Sequence, residues 1–251
     1  MIVCKSAREI EKLRVSGRIV REILEEMRIH VKPGVTTLQL EAYVEKRVKQ
    51  LGVKPAFRGY RGYPCCLCAS VNSEIVHGIP SGRPLRDGDI VSLDLGVIVD
   101  GYYGDSALTL PVGGISDSLK RLLKVTEESL QLGIDQARLG NRLGDISSAV
   151  QRHAEKSGYS VVREFVGHGI GRALHEEPQI PNFGKAGHGP VLKEGMVLAI
   201  EPMLNEGASE VRVLEDQWTA VTADGTFSAH FEHMVAITRN GPDVLTKLES
   251  K

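Results

Sequence analysis

Residues 90–105 read IVSLDLGVIVDGYYGD, two largely apolar runs joined by the dipeptide Asp100-Gly101. An Asp-Gly pair between such runs is typical of a β-hairpin with a two-residue turn. With that turn, Asp94 and Asp105 lie diagonally opposite each other on one face, because side chains alternate along a strand. A three-residue turn would place them on opposite faces. The two-residue turn therefore predicts a hairpin whose two carboxylates can share a metal ion.

Two further carboxylates stand beside apolar runs. Glu201 follows MVLAI, and Glu232 lies two residues before MVAI. An ionised carboxylate is very costly to bury unless it is paired or bound to a metal. Together with Asp94 and Asp105, these groups carry a charge of about −4, which two divalent cations would neutralise. The sequence therefore predicts a two-metal centre.

The segment GHGIGRALHEEP, residues 167–178, holds two histidines in a glycine-rich context. Glycines beside His168 would let the backbone approach a ligand closely. One of His168 and His175 could bind a metal while the other donates to a developing oxyanion. Carboxylates with a single imidazole favour manganese, iron or cobalt, with zinc as an alternative. Three other histidines are expected to be structural or surface residues: His153, His188 and His230.

Hydrophobic periodicity predicts four amphipathic helices. Their expected bounds are residues 7–29, 37–51, 116–138 and 144–157. Thr37 is the expected N-cap of the second helix, with Glu41 as a loose capping partner and Gly52 as its stop. The helices thus fall into two pairs, each followed by a strand-rich region.

The two pairs belong to an apparent internal repeat. Four pairs of residues match at a separation of 106: Gly34 and Gly140, Leu40 and Ile146, Val44 and Val150, and Gly52 and Gly158. The segments LRDGDI (85–90) and LKEGMV (192–197) match at a separation of 107, which aligns Asp94 with Glu201. Short glycine-bounded matches also arise by chance, but the alignment of two carboxylates favours true repetition. A unit of this length is too long for a solenoid repeat and indicates two pseudosymmetric α/β halves.

A chain of 251 residues can form one domain with a full core. We expect a single catalytic domain over residues 1–251, with halves of about 7–112 and 116–240. The net charge of −1 gives no reason to expect a nucleic-acid or membrane partner. The first residues lack the apolar core of a signal peptide, and no apolar run approaches the roughly 18 residues of a membrane span. A cytoplasmic location is therefore expected.

Three of the four cysteines are crowded into residues 65–68. A zinc site would need a second cysteine pair or histidines at ligand spacing, and Cys4 is the remaining thiol. We therefore expect reduced thiols that bind no metal. An alternative is that one of them lines a pocket.

Several of these segments together resemble type I methionine aminopeptidase. They are VNSEIVHGIP (71–80), the Asp94/Asp105 hairpin, GHGIGRALHEEP (167–178), IEPM (200–203) and Glu232-His233. The resemblance implies the pita-bread fold, a pseudosymmetric α/β domain with a central antiparallel sheet flanked by helices and two metals at its centre. It also implies hydrolysis of the N-terminal methionine from nascent proteins whose second residue is small.

The same resemblance implies roles for individual residues. The implied metal ligands are Asp94, Asp105, His168, Glu201 and Glu232. Glu201 would also act as the general base, while His77 and His175 would position the scissile amide and stabilise the tetrahedral intermediate. The implied methionine pocket consists of Tyr60, Tyr63, Cys68, Leu174 and Trp218, with Phe57 beside it. Leu174 often corresponds to phenylalanine in bacterial members, and Phe57 to a smaller residue, so the pocket shape is expected to differ.

Three other functions compete with this interpretation. An X-Pro aminopeptidase or prolidase shares the fold and the motifs around the metals, but it carries a long N-terminal domain. A non-catalytic pita-bread binding protein would typically have lost some of the five ligands. A structural metal site fits poorly with the free histidines and the open ligand shell. The favoured interpretation implies nascent N-termini as partners, with docking on the ribosome left open, and a monomeric enzyme.

Overall fold

The computed structural model describes residues 1–248, and this part of the chain contains two pairs of helices. They are α1 (Ala7–His30), α2 (Thr37–Gln50), α3 (Asp117–Gln136) and α4 (Leu143–Lys156). Each predicted helix is confirmed to within two residues at either end. Residues 249–251 of the predicted domain lie outside the described residues.

The N-cap of α2 differs from the prediction by one residue. Thr36 has extended backbone angles, and its hydroxyl accepts from the N–H of Gln39, whose side chain accepts in turn from the N–H of Thr36. The neighbouring Thr37 is occupied elsewhere, because its hydroxyl donates to the Ser81 carbonyl. Glu41 is not a capping partner. Two adjacent threonines can both cap a helix, and the tertiary contact of the second one decides between them.

The strands of residues 1–248 form four antiparallel sheets. In chain order the strands are β1 (Lys54–Pro55), β2 (Leu67–Val71), β3 (Glu74–Val76), β4 (Ile90–Val99), β5 (Tyr102–Pro111), β6 (Ser160–Val161), β7 (Gly167–Gly169), β8 (Glu176–Ile180), β9 (Val197–Ile200), β10 (Met203–Asn205), β11 (Val211–Val213), β12 (Ala220–Thr222), β13 (Ser228–His230), β14 (His233–Thr238) and β15 (Gly241–Val244). The sheets have the orders β1-β4-β2 with β5 on β4, β13-β10-β6, β11-β12-β3 and β15-β14-β9-β7-β8.

The β4–β5 hairpin has the predicted two-residue turn. Asp100 and Gly101 adopt φ values of 50° and 79°, as the turn type favoured in hairpins requires. Gly96 pairs with Asp105, so Asp94, two residues before Gly96, lies on the same face as Asp105. The register that brings the two carboxylates together is therefore confirmed.

Backbone hydrogen bonds repeat in the two halves. The N–H of Gly34 donates to the Leu85 carbonyl at 2.8 Å, and the N–H of Gly140 donates to the Leu192 carbonyl at 3.1 Å. These are residues that the repeat aligns. The second helices of the two pairs, α2 and α4, each begin at the aligned position and each have 14 residues. The pseudosymmetry inferred from the sequence is thus present in the backbone.

The hydrophobic core places α1 against one face of the β4–β5 hairpin. Leu24 and Met27 of α1 belong to the same buried cluster as Leu93 and Leu95 of β4. Each such fully buried side chain stabilises the fold by about 1.5–3 kcal/mol. Because side chains alternate along β4, Asp94 between these leucines points to the opposite face.

Helix α1 approaches β5 unusually closely at Gly104. A Cβ atom at this position would lie 2.5 Å from the carbonyl oxygen of Ser16. The close contact fixes the strand that carries Asp105. In residues 1–248 no helix combines the length and apolar character needed to cross a membrane.

Candidate metal centre

Five strands bring the predicted metal ligands to one cavity between the sheets. Asp94 lies on β4, Asp105 on β5 and His168 on β7, whereas Glu201 directly follows β9 and Glu232 directly precedes β14. All five line a cavity of about 270 Å³. Residues from both halves of the repeat therefore meet at one site.

The donor atoms of these side chains converge. Asp105, His168 and Glu232 each offer a donor atom, and these three atoms lie within 4.8 Å of one another. Nε2 of His168 lies 3.5 Å from Oε1 of Glu201 and 3.8 Å from Oδ2 of Asp105. Atoms at these separations can coordinate a shared cation.

Burial and mutual repulsion disfavour ionisation of the four carboxylates. Burial raises the pKa of Asp94 to about 7. Burial also raises the pKa values of Asp105, Glu201 and Glu232 well above their ordinary values, and the charges of neighbouring carboxylates raise them further. In residues 1–248, the buried Oδ1 atoms of Asp94 and Asp105 and Oε1 of Glu232 have no hydrogen-bond partner. Unsatisfied carboxylate oxygens fit a divalent-metal centre, because bound cations would neutralise them.

His168 has the protonation state that a metal ligand needs. Its Nδ1 lies 3.0 Å from the Gly169 carbonyl, which can only accept, so Nδ1 carries the hydrogen and Nε2 presents a lone pair to the cavity. Burial lowers the pKa of His168 to about 3, so the ring is neutral near pH 7. The flanking glycines were expected to admit a ligand. Instead they admit neighbouring strands, since a Cβ at Gly167 would lie 2.4 Å from the Ala199 oxygen.

Two more histidines lie at the cavity wall. Burial is the main cause that lowers the pKa of His77 to about 4, and the charge of His175 is the second cause. His77 has a φ of 60°, a strained value for a residue with a side chain. Its ring packs edge-on to Phe165 and Trp218, with centroids 5.2 Å and 6.3 Å away. The backbone and two aromatic rings thus fix the direction of this imidazole.

His175 lies next to the predicted ligand His168, with ring centroids 4.3 Å apart. The hydroxyl of Tyr60 lies 2.8 Å from its Nδ1. Burial, and then the charge of Arg61, lowers the pKa of His175. A phenol that donates to Nδ1 leaves an Nε2 hydrogen available for a substrate oxygen.

The predicted methionine pocket forms the apolar part of the same cavity. Its wall includes Phe57, Tyr60, Tyr63, Cys68, Leu174 and Trp218. Phe57 lies directly over Gly96, where a Cβ would come within 2.6 Å of the phenyl ring.

All four cysteines are free, and Cys68 lies in the wall of this cavity. Burial raises the pKa of the Cys68 thiol well above its usual value. The alternative that one cysteine lines a pocket is therefore correct for Cys68.

Sequence reasoning missed four residues of the cavity wall. They are Arg61, Val76, Phe165 and Val166. Three of the four adjoin predicted residues directly: Arg61 follows Tyr60, Val76 precedes His77 and Val166 precedes the GHG motif. Proximity to the motifs could have identified these three.

Residues 11–239 match the family described as Metallopeptidase family M24. The chain belongs to this family. This M24 chain is 53% identical to methionine aminopeptidase 1 of Bacillus subtilis over 248 residues, which cover 99% of this chain and 100% of that protein.

Solved structures of M24 enzymes share the fold. A crystal structure of methionine aminopeptidase from Thermotoga maritima has a TM-score of 0.97 and 49% identity, and the match covers 99% of this chain and 100% of that chain. Prolidase from Pyrococcus furiosus has a TM-score of 0.80 and 25% identity, and the match covers 99% of this chain and 66% of that chain. The pita-bread fold and the assignment to the hydrolases are therefore confirmed.

One histidine of this M24 chain that was given no functional role lies beside a proposed metal ligand. His230, expected to be a structural or surface residue, is buried, and its Nε2 lies 3.8 Å from Oε2 of Glu201. Burial lowers the pKa of His230 to about 3, and the ring is neutral near pH 7. Its position two residues before Glu232 was the available signal, because alternate residues share a face wherever the chain is extended.

Proposed function

We propose that this protein is a metal-dependent methionyl aminopeptidase that removes the N-terminal methionine from peptides whose second residue is small. One observation carries the proposal: a cluster of four carboxylates, two buried and two partly buried, and an imidazole shares a cavity of about 270 Å³ with an aromatic and aliphatic pocket. A site for hydrolysis thus adjoins a site for an apolar side chain. The identity to methionine aminopeptidases over nearly the whole chain supports the same conclusion.

The proposed ligands of two divalent metal ions are Asp94, Asp105, His168, Glu201 and Glu232. Their support is the convergence of donor atoms and the buried carboxylate oxygens that lack hydrogen-bond partners in residues 1–248. Manganese, iron or cobalt is the proposed metal, because the set is rich in carboxylates, and zinc is the alternative. When bound, such ions supply Lewis-acid polarisation of the scissile carbonyl and lower the pKa of a bound water.

In the proposed reaction the protein moves one proton and positions the peptide. Glu201 accepts a proton from the attacking water and passes it to the leaving amino group as the C–N bond breaks. His77 and His175 hold the scissile amide, and the Nε2 hydrogen of His175 stabilises the developing oxyanion. The contact of Tyr60 with Nδ1 of His175 supports this assignment, since a phenol hydrogen donated to Nδ1 places the ring hydrogen on Nε2.

The methionine side chain is proposed to bind in the apolar part of the cavity. The proposed contact residues are Phe57, Tyr60, Tyr63, Cys68, Leu174 and Trp218. Tyr63 and Trp218 support this role because their rings meet edge-on at 5.1 Å and form one rigid wall. The thiol of Cys68 is buried and uncharged, so it suits a thioether.

The wider biological setting is also proposed. A single catalytic domain with halves of about 7–112 and 116–240 is supported by the ligands that each half contributes. Substrates would be N-termini of nascent polypeptides, with or without docking on the ribosome, and the enzyme would act as a cytoplasmic monomer. The proposal includes no nucleic-acid or membrane partner.

Peptide selectivity tests the proposal. The metal-loaded protein should hydrolyse Met-Ala-Ser much faster than Met-Leu-Ser and leave Ala-Pro-Ser intact. Product amino acids would be measured by chromatography after equal incubation. Preferential cleavage of Ala-Pro-Ser would instead assign the protein to the prolidase branch of the family.

A further inference from the structure

His230 is a buried imidazole that has no role in the reaction described above. The residue is 1% exposed, and its Nε2 lies 3.8 Å from Oε2 of Glu201. His168 faces the other oxygen of the same carboxylate, with Nε2 3.5 Å from Oε1. Among residues 1–248, Nε2 of His230 has no hydrogen-bond partner. The two oxygens of Glu201 are therefore flanked by two different imidazoles.

The backbone of His230 is fixed to the strands that carry the proposed metal ligands. The Thr109 hydroxyl donates to the His230 carbonyl at 2.8 Å. The same hydroxyl accepts from the backbone N–H of His230 at 2.9 Å. Ser92 lies 2.8 Å from the same hydroxyl, so the contact extends from β5 to β4. His230 is also paired with Met203 in the sheet of β10 and β13. The backbone that carries the His230 ring is therefore held on one side by β5 and on the other by β10.

We propose that His230 is a positioning residue, which donates a hydrogen bond from Nε2 to Oε2 of Glu201 and so orients that carboxylate. The inference rests on the proposed role of Glu201 as ligand and base. A neutral imidazole carries one N–H, and a carboxylate oxygen beside it favours the tautomer with the hydrogen on Nε2. An Nε2 lone pair would face the negatively charged oxygen and be repelled. The present separation must shorten by about 1 Å to form a charge-assisted hydrogen bond.

The hydrogen bond would restrict rotation of Glu201 about its terminal bond. One oxygen would then face His168 and the metal cluster, and the other would face His230. Residues that orient a metal ligand in this way typically change metal affinity or activity by about 10- to 100-fold when they are removed. Substrate affinity should change little, because His230 does not line the apolar pocket.

The test compares His230→Leu, which removes the donor, with His230→Gln, whose side-chain amide can supply one. His230→Met is a second apolar variant for use if the leucine variant does not fold. His153→Leu and His153→Gln are matched controls, because Nε2 of His153 lies 3.0 Å from a carboxylate oxygen of Glu128 on the helices, away from the cavity. Metal-free protein would be titrated with Co²⁺ while visible absorption is recorded, and kcat and KM would be measured on Met-Ala-Ser.

The apolar variants should alter the Co²⁺ absorption bands and lower kcat by about 10- to 100-fold, with KM nearly unchanged. His230→Gln should recover both properties, and the His153 variants should match the wild type. A folded His230→Leu protein with wild-type bands and kcat would overturn the proposal, as would a glutamine variant with the full defect. If the wild type released no methionine but the bands responded as expected, only the proposed function would fail.

Discussion

Replacing Asp94 with asparagine should stabilise the metal-free protein near pH 7. Burial raises the pKa of this carboxyl from 3.8 to about 7 in the folded chain. A group whose folded pKa is raised binds its proton more tightly in the folded state, so its ionisation favours unfolding. The penalty grows as the pH rises above the unfolded pKa and is complete above the folded pKa. Asparagine cannot ionise, so the folded variant carries no such penalty.

The size of the effect follows from the two pKa values. A difference of about three pKa units, at about 1.4 kcal/mol per unit, corresponds to an upper limit of about 4 kcal/mol. The measured gain will be smaller, because Asp105, Glu201 and Glu232 gain ionisation once one charge is removed. A gain of about 2 kcal/mol would raise the melting temperature by about 4–8 °C in a chain of this size.

Thermal melts of the metal-free wild type and Asp94→Asn would measure this difference at pH 7 and pH 5. The gap should narrow at pH 5, where the wild-type carboxyl is protonated in the folded state. Asp135→Asn, which removes a carboxylate of α3 outside the cavity, should leave the melting temperature nearly unchanged. The Asp94→Asn protein should also bind Mn²⁺ more weakly than the wild type, because a proposed ligand is lost. An Asp94→Asn protein that melts clearly below the wild type without metal would refute the account of repelling buried carboxylates.

Two further substitutions test the site and the fold. His175→Ala should lower kcat by about 10²- to 10³-fold, as expected for loss of one oxyanion donor. Its metal content by elemental analysis should match the wild type, and loss of an ion would mean that His175 is itself a ligand. Gly104→Ala should destabilise the protein by about 1–3 kcal/mol in urea unfolding, because the new methyl group would overlap the backbone of α1 at Ser16. Unchanged stability there would show that α1 can move away from β5 without loss.

Local sequence signals predicted much of the site. The Asp-Gly turn determined the register of β4 and β5, and the register placed Asp94 and Asp105 on one face. The repeat aligned Asp94 with Glu201, and these residues meet in one cavity although they lie far apart in the chain. Such features are readable because turn chemistry and strand alternation are local properties.

Other features depend on contacts that the sequence does not display. The glycines beside His168 are required by the carbonyls of Ala199 and Glu177 on neighbouring strands. The cap of α2 depends on Ser81, which occupies the hydroxyl of Thr37. The sequence places His230 two residues before Glu232, but only the packing of the strands places it beside Glu201. In each case a residue distant in sequence decides the role.

A metal titration of the chelated protein tests directly whether two bound ions are required for hydrolysis. Mn²⁺ would be added in steps while bound metal and hydrolysis of Met-Ala-Ser are both measured. We expect no hydrolysis by the metal-free protein and full recovery of activity by the time two ions are bound per chain. Sustained hydrolysis in a preparation that elemental analysis shows to be metal-free would contradict this requirement.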